Sequence, residues 1–265
     1  MSQLVNIFFV GDIVGKPGLT LTSTVLKQYF EKFEIDLCIA NGENVTEGKG
    51  VSEEDAKVLF DLGVQVITTG NHLWDRWQSR PLLTKERRIL RPLNYPRDNP
   101  GQGLIAVDLK EKGIVGVVNL QGRTFMTPID DPFRSADWAL SKLEQSTKVI
   151  VLDMHAEASA EKLALAWHLD GRVSAVLGTH THVPTADARI LPGGTAFITD
   201  VGMTGPYDSV IGMRKEIAIK RFMTGTPHKF EMASHDVRLC ALYLQVDRQS
   251  GKATSIQQVI FPAFG

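Results

Sequence analysis

The stretch Val5-Asn6-Ile7-Phe8-Phe9-Val10-Gly11-Asp12-Ile13-Val14-Gly15-Lys16-Pro17 decides the fold class. Its apolar, β-branched and aromatic first half reads as a strand, and Gly11-Asp12 breaks it. Pro17 suits the first turn of a helix running to about Phe33, because its fixed φ and missing N–H cost little there. The run is apolar almost throughout instead of alternating, which marks a strand covered on both faces. Similar runs occupy 36–40, 64–68, 114–120, 148–152 and 173–177. Helical patterns lie between several of them: one headed by Ser52 three residues before Asp55, others near 137–145 and 159–169. This alternation predicts an α/β layered architecture. From Ala186 to Phe197 and from Val237 to Phe261, shorter alternating segments separated by Gly and Pro predict antiparallel strands, in a second sheet. The expected fold is a four-layer α-β-β-α sandwich with mixed sheets.

Length and composition fit this expectation. A chain of 265 residues, 43% hydrophobic and 22% charged, can bury a large core as one domain spanning 1–265. The stretch 202–236, rich in Gly, Met and basic residues, fits neither sheet pattern and is expected to form a cap or an oligomer contact. Lys plus Arg (29) nearly balance Asp plus Glu (30), so no broad field attracts nucleic acid or an anionic membrane, and stable nucleic-acid binding is not expected. No apolar run approaches the roughly 20 residues that span a bilayer, and no signal segment is apparent, so the expected location is the cytoplasm. Cys38 and Cys240 lie far apart in apolar stretches and read as buried free thiols.

Polar residues able to bind metal follow five of the apolar runs, where open α/β sheets place their ligand sites. They are Gly11-Asp12, Gly42-Glu43-Asn44, Gly70-Asn71-His72, Asp153-Met154-His155 and Gly178-Thr179-His180-Thr181-His182. Each alone has an ordinary explanation: a turn, a helix cap, or a hydrogen-bonded interior histidine. Two imidazoles two residues apart on irregular backbone make the last cluster the strongest. Their shared placement at strand ends carries the inference, and four of the 7 histidines fall in these clusters. His168, His228 and His235 do not, and read as structural or surface residues. Gly11 to Lys16 resembles a phosphate-cradling P-loop only superficially: its glycines are one residue too close, and Pro17 stands where Ser or Thr is required.

In this order the blocks resemble those of the calcineurin-like metallophosphoesterases. Gly70-Asn71-His72 matches that family's third block, and Gly178-Thr179-His180-Thr181-His182 its last with one extra residue. Asp12-Ile13-Val14 lacks the family's first-block histidine, and Gly42-Glu43-Asn44 replaces its second-block aspartates. These departures, with His155-Ala156-Glu157-Ala158, resemble a bacterial branch similar to 2′,3′-cyclic-nucleotide 2′-phosphodiesterases. The resemblance covers nearly the whole chain. It implies one metal held by Asp12, Glu43, Asn44 and His182 and a second by Glu43, Asn71, His155 and His180, with Glu43 bridging.

The O/N ligand mixture suits iron or manganese, with zinc also compatible. With only two carboxylates facing two cations, the site stays electropositive and suits a small anionic phosphodiester. The implied reaction is hydrolysis of a cyclic nucleotide by hydroxide bridging the metals, with His72 as the candidate proton donor. Arg123 and Tyr207 are weaker candidates for contacting phosphate and base. Phosphomonoesterase activity and a slow-turnover regulatory metal- or nucleotide-binding scaffold are the competing readings. A homo-oligomer is compatible with all of them.

Overall fold

The computed structural model describes residues 3–265. The expected opening is found: β1 (Leu4–Val10) leads through Gly11-Asp12 into α1 (Gly15–Phe33). Then come β2 (Leu37–Asn41), α2 (Glu53–Asp61), β3 (Val66–Thr68), a 3-10 turn at Asn71–Asp75, α3 (Ser79–Lys85) and β4 (Ile89–Leu90). β5 (Leu104–Asp108), β6 (Ile114–Gln121), α4 (Pro132–Leu143), β7 (Ile150–His155), α5 (Ser159–Leu169) and β8 (Ala175–Thr179) form the middle of the chain. The last part holds β9 (Arg189–Ile190), β10 (Ala196–Ile198), β11 (Gly205–Pro206), α6 (Lys215–Thr224), β12 (Val237–Asp247) and β13 (Ala253–Phe261).

Local chemistry sets several boundaries. Ser52 caps α2 by accepting from the Asp55 N–H. α4 starts earlier than its periodicity suggests, because the Asp131 carboxylate accepts from the N–H groups of Phe133 and Arg134 and Pro132 occupies the first turn. β7 runs on through Asp153 to His155 instead of stopping at Leu152, since these polar residues pair inside the fold.

Among the described residues there are two mixed sheets, one ordered β11-β12-β1-β2-β3-β4 with β13 beside β12, the other β5-β6-β7-β8-β10-β9. The C-terminal hairpin departs from expectation. β12 lies antiparallel to β1, from Leu4↔Asp247 to Val10↔Ala241, and so extends the first sheet instead of building the second. Likewise Ala196–Ile198 pairs parallel to β8, with only the short β9 antiparallel to it.

Three apolar layers account for the runs without alternation. Val5, Ile7 and Phe9 face Val115, Val117, Val151 and Leu177 between the sheets. Their neighbours Phe8 and Val10 pack with Val25, Leu26 and Leu59 under α1 and α2. Leu120, Leu152 and Met154 meet Leu140, Leu165 and Leu169 of α4 and α5. Every second residue of a strand therefore enters a different core, and both sides must be apolar. Cys38 and Cys240 are buried free thiols, as expected. Among the described residues no helix is long and apolar enough to cross a membrane.

Candidate metal centre

β1, β2 and β3 are parallel, as are β7 and β8, so their C-terminal ends form one rim. Backbone must approach closely there. A side chain at Gly11 would meet the Gly202 carbonyl at 2.1 Å, and one at Gly70 would meet His155 Nε2 at 2.2 Å and Glu43 Oε2 at 2.4 Å. Beyond β8 the chain turns sharply, with φ of 100° at His180 and 66° at His182, a region costly for residues with a β-carbon.

The result is a convergence of lone pairs. His155 Nε2 lies 3.0 Å from Glu43 Oε1, 3.2 Å from Asn71 Oδ1 and 3.1 Å from His180 Nδ1. Glu43, His155 and His180 offer ligand atoms all within 4.8 Å of one another, the spacing of a metal-binding group. On the other side of Glu43, Asp12 Oδ1 is fully buried without a hydrogen-bond partner and lies 3.9 Å from His182 Nε2. Asp12 Oδ2 accepts from the His180 N–H at 3.2 Å. Asn44 joins the halves, its Nδ2 donating to Glu43 Oε1 at 3.0 Å and lying 3.1 Å from His182 Nε2. To ligate through oxygen, this amide must turn over. An orphaned buried carboxylate oxygen and four converging acceptor atoms are the arrangement a cation satisfies and a neutral core does not.

The protein's own field records the same demand. Burial pushes the Asp12 carboxyl up to about 6, against the pull of His182 and His155. Burial opposes a charged His155, yet Glu43, Asp12 and Asp153 together raise it to about 9. Burial would also raise Glu43, but the charge and hydrogen bond of His155 outweigh it and hold that carboxyl well below the usual range. His180, buried and beside His155, is pushed down to about 3. A proton on His155 thus supplies part of the positive charge that two buried carboxylates require.

Each imidazole is steered by an acceptor on its far nitrogen. His155 Nδ1–H donates to Thr179 Oγ1 at 2.9 Å, and Thr179 donates to Asp153 Oδ1 at 2.7 Å. His182 Nδ1–H donates to the Ile211 carbonyl at 2.9 Å, and His180 Nε2 lies 3.0 Å from Glu157 Oε2. Such partners fix the tautomer and leave the other nitrogen free for a metal. Asp153 also accepts from Asn41 at 3.0 Å and Thr68 at 2.5 Å, joining the two sheets beneath the cluster. Asp200 accepts at Oδ2 from Lys162 Nζ (2.8 Å), Thr181 N–H (3.0 Å) and Thr181 Oγ1 (2.8 Å), pinning the residue between His180 and His182. Sequence reasoning gave no role to Thr179, Asp200, Lys162 or Ile211; for Lys162 a charged residue inside an apolar helix was the available signal, and the Ile211 carbonyl carries none.

His72 donates its backbone N–H to Glu43 Oε2 at 3.2 Å, and its Nδ1 lies 2.9 Å from Asp75 Oδ2. It lines a cavity of about 690 Å³ with Asn44, His182, Ile211, Phe222 and Phe230. His228, read from sequence as a surface residue, lines it too, while His168 pairs with Asp137 at 3.0 Å. Arg123 is drawn elsewhere, to Asp131 at 3.0 Å, and its backbone is held by Glu161. Tyr207 donates its hydroxyl to the Met203 carbonyl at 3.0 Å and packs edge-on against Phe264, lining a neighbouring groove with His182.

Two layered mixed sheets, with a cluster that could hold a metal ion on the C-terminal rim of their parallel strands, define an α/β fold of the metallophosphoesterase type. The chain belongs to the YmdB-like protein family, which it matches over residues 8–259. It is 45% identical over 255 residues to the 2′,3′-cyclic-nucleotide 2′-phosphodiesterase of Bacillus subtilis, covering 96% of each chain. The crystal structure of a novel phosphatase from Mycoplasma pneumoniae superposes with a TM-score of 0.93 at 34% identity, over 98% of this chain and 94% of that one. A hypothetical protein from Thermus thermophilus gives 0.89 at 40%, over 97% and 99%.

Proposed function

We propose that the protein hydrolyses 2′,3′-cyclic nucleotides at a dinuclear centre held by Asp12, Glu43, Asn44 and His182 on one side and Glu43, Asn71, His155 and His180 on the other. The observation that carries this reading is the convergence of Glu43 Oε1, Asn71 Oδ1 and His180 Nδ1 on His155 Nε2. Iron or manganese suits the oxygen and imidazole donors, and zinc is also compatible. When bound, the ions supply Lewis acidity toward phosphoryl oxygens and acidify water.

The chain's own groups do the rest. Asp75 holds His72 Nδ1, so His72 Nε2 is the atom left to give a proton to the departing ribose oxygen as the cyclic diester opens. The segment 202–236 acts as a cap: Val210, Ile211, Phe222, His228 and Phe230 supply the apolar and aromatic wall facing His72 and His182. That wall suits a nucleoside, as an aromatic face suits a base. Arg123 is left outside the assignment.

Metal analysis of protein purified without chelator, followed by a substrate panel on that sample, tests the reading. Two ions per chain and faster turnover of 2′,3′-cyclic AMP than of p-nitrophenyl phosphate are expected. Preference for the monoester moves the assignment to a phosphomonoesterase. Two ions retained in both Asp12→Asn and His180→Ala variants overturn the ligand set.

A further inference from the structure

A second cavity, of about 710 Å³, lies between the loop after β4 and α4 and shares no lining residue with the cavity at His72. Arg91, Tyr95, Arg97, Arg134, Trp138 and Lys142 line it. Among the described residues none of its four cations is paired with a carboxylate. Arg91 is only 5% exposed, and its Nε is buried with no hydrogen-bond partner. Arg97 and Lys142 each lie 5.8 Å from the Trp138 ring, which is itself 42% exposed. The lining also holds two acids, Asp130 and Asp131, the second of which caps α4 and pairs with Arg123, so two carboxylates face four cations. Unpaired cations with a partly desolvated guanidinium call for an anion, and the aromatic surface between them calls for one carrying a ring.

Tyr95 and Gln121 stand between the cavity and the metal cluster. Tyr95 donates its hydroxyl to Gln121 Oε1 at 3.0 Å, and Gln121 stands beside His155 in the β6–β7 register. On its other side Tyr95 packs against Trp74 at 5.2 Å, in the same 3-10 turn as His72. A ligand spanning both places would put one phosphodiester at the metal cluster and a second phosphate, with its nucleoside, among the cations.

From this we infer that the protein acts on short oligoribonucleotides ending in a 2′,3′-cyclic phosphate, the penultimate nucleotide lying in the Arg91–Trp138–Lys142 cavity. The inference rests on the proposed hydrolysis at the metal centre and names the substrate that extends it. The balanced net charge of the chain is no obstacle, because the cations are local to this one cavity.

The test compares adenosine 2′,3′-cyclic phosphate with a di- and a trinucleotide bearing the same terminus, using wild type and Arg97→Ala/Arg134→Ala/Lys142→Ala. In the wild type the oligonucleotides are expected to show kcat/KM about 10-fold above the mononucleotide, in line with one added stacking and phosphate contact. The triple variant loses that advantage, shows a flatter salt dependence, and keeps its mononucleotide kcat/KM. No oligonucleotide advantage in the wild type, or an equal loss on all substrates in a variant with an unchanged urea midpoint, overturns the inference. Fluorescence anisotropy of a labelled trinucleotide 3′-phosphate on chelator-treated protein separates the two readings. If no cyclic substrate is turned over but that probe binds and the triple variant abolishes binding, the hydrolysis fails and the cavity stands. If substrate is turned over but the probe binds both proteins alike, the cavity assignment fails alone.

Discussion

Replacing Lys162 by methionine isolates one buried charge and tests what holds the ligand loop in its unfavourable backbone. Lys162 and Asp200 are both fully buried, 2.8 Å apart. Methionine keeps most of the aliphatic stem and removes the ammonium, leaving Asp200 with neutral donors: Thr181 N–H and Oγ1 on one oxygen and the Gly202 N–H at 2.9 Å on the other. Breaking one side of a buried pair costs about 3–5 kcal/mol, against a typical total stability of about 5–15 kcal/mol. Lys162→Met should therefore fold but unfold at clearly lower urea. Thr181 sits between His180 at φ 100° and His182 at φ 66°, so loosening its anchor should also weaken metal binding by about 10–100-fold, as loss of outer-shell support commonly does. The assays are urea denaturation followed by circular dichroism, and metal retention against a graded chelator. Adding Asp200→Asn should recover much of the stability, since no buried charge remains, without restoring full metal affinity. A single variant within about 0.5 kcal/mol of wild type, the range of an ordinary surface change, with unchanged metal retention would refute the reasoning.

His72→Ala should keep both metals and lower kcat by about 10²–10⁴-fold, the usual contribution of a positioned acid; unchanged turnover at full occupancy removes His72 from the mechanism. Gly70→Ala places a methyl group 2.1 Å from His155 Cδ2 and 2.4 Å from Glu43 Oε2, so the purified variant should lose its metal, and full metal content would show that the rim can yield. Because His155 is raised from 6.5 to about 9, metal binding at pH 7.5 should release a proton, measurable by calorimetry in buffers of different ionisation enthalpy. The same shift stabilises chelator-treated protein fully below about pH 6.5 and is lost as pH rises through 9, so its urea midpoint should fall across that window. A flat profile there argues against a protonated His155.

The polar clusters that meet at the rim could be read because each lies at the end of an apolar run and needs only local sequence to be recognised. Asp12 and His155 illustrate this: both are the polar residues that follow a strand pattern, and both lie in the cluster. The residues that steer them were harder to see. Thr179 stood in the last cluster with nothing to mark it as a support for His155, and Lys162 stood unassigned in the helical pattern 159–169, although its side chain is completely buried against Asp200. Arg123 had a guanidinium suited to phosphate and a place just past a strand, yet Asp131 pairs with that guanidinium while Glu161 accepts from the backbone N–H.

By itself the sequence determined the alternation of two-faced strands and helices, the five polar strand ends, and the capped starts of helices such as that behind Ser52. These follow from interactions within a few residues along the chain. Tertiary structure alone decided that the C-terminal hairpin completes the first sheet through Leu4↔Asp247, that Asp153 reaches across to Asn41 and Thr68, and that residues 202–236 wall the cavity over His72. Those choices pair residues far apart in sequence. Strand periodicity specifies which face is apolar but not which neighbour will cover it, and only the packed sheets make that selection.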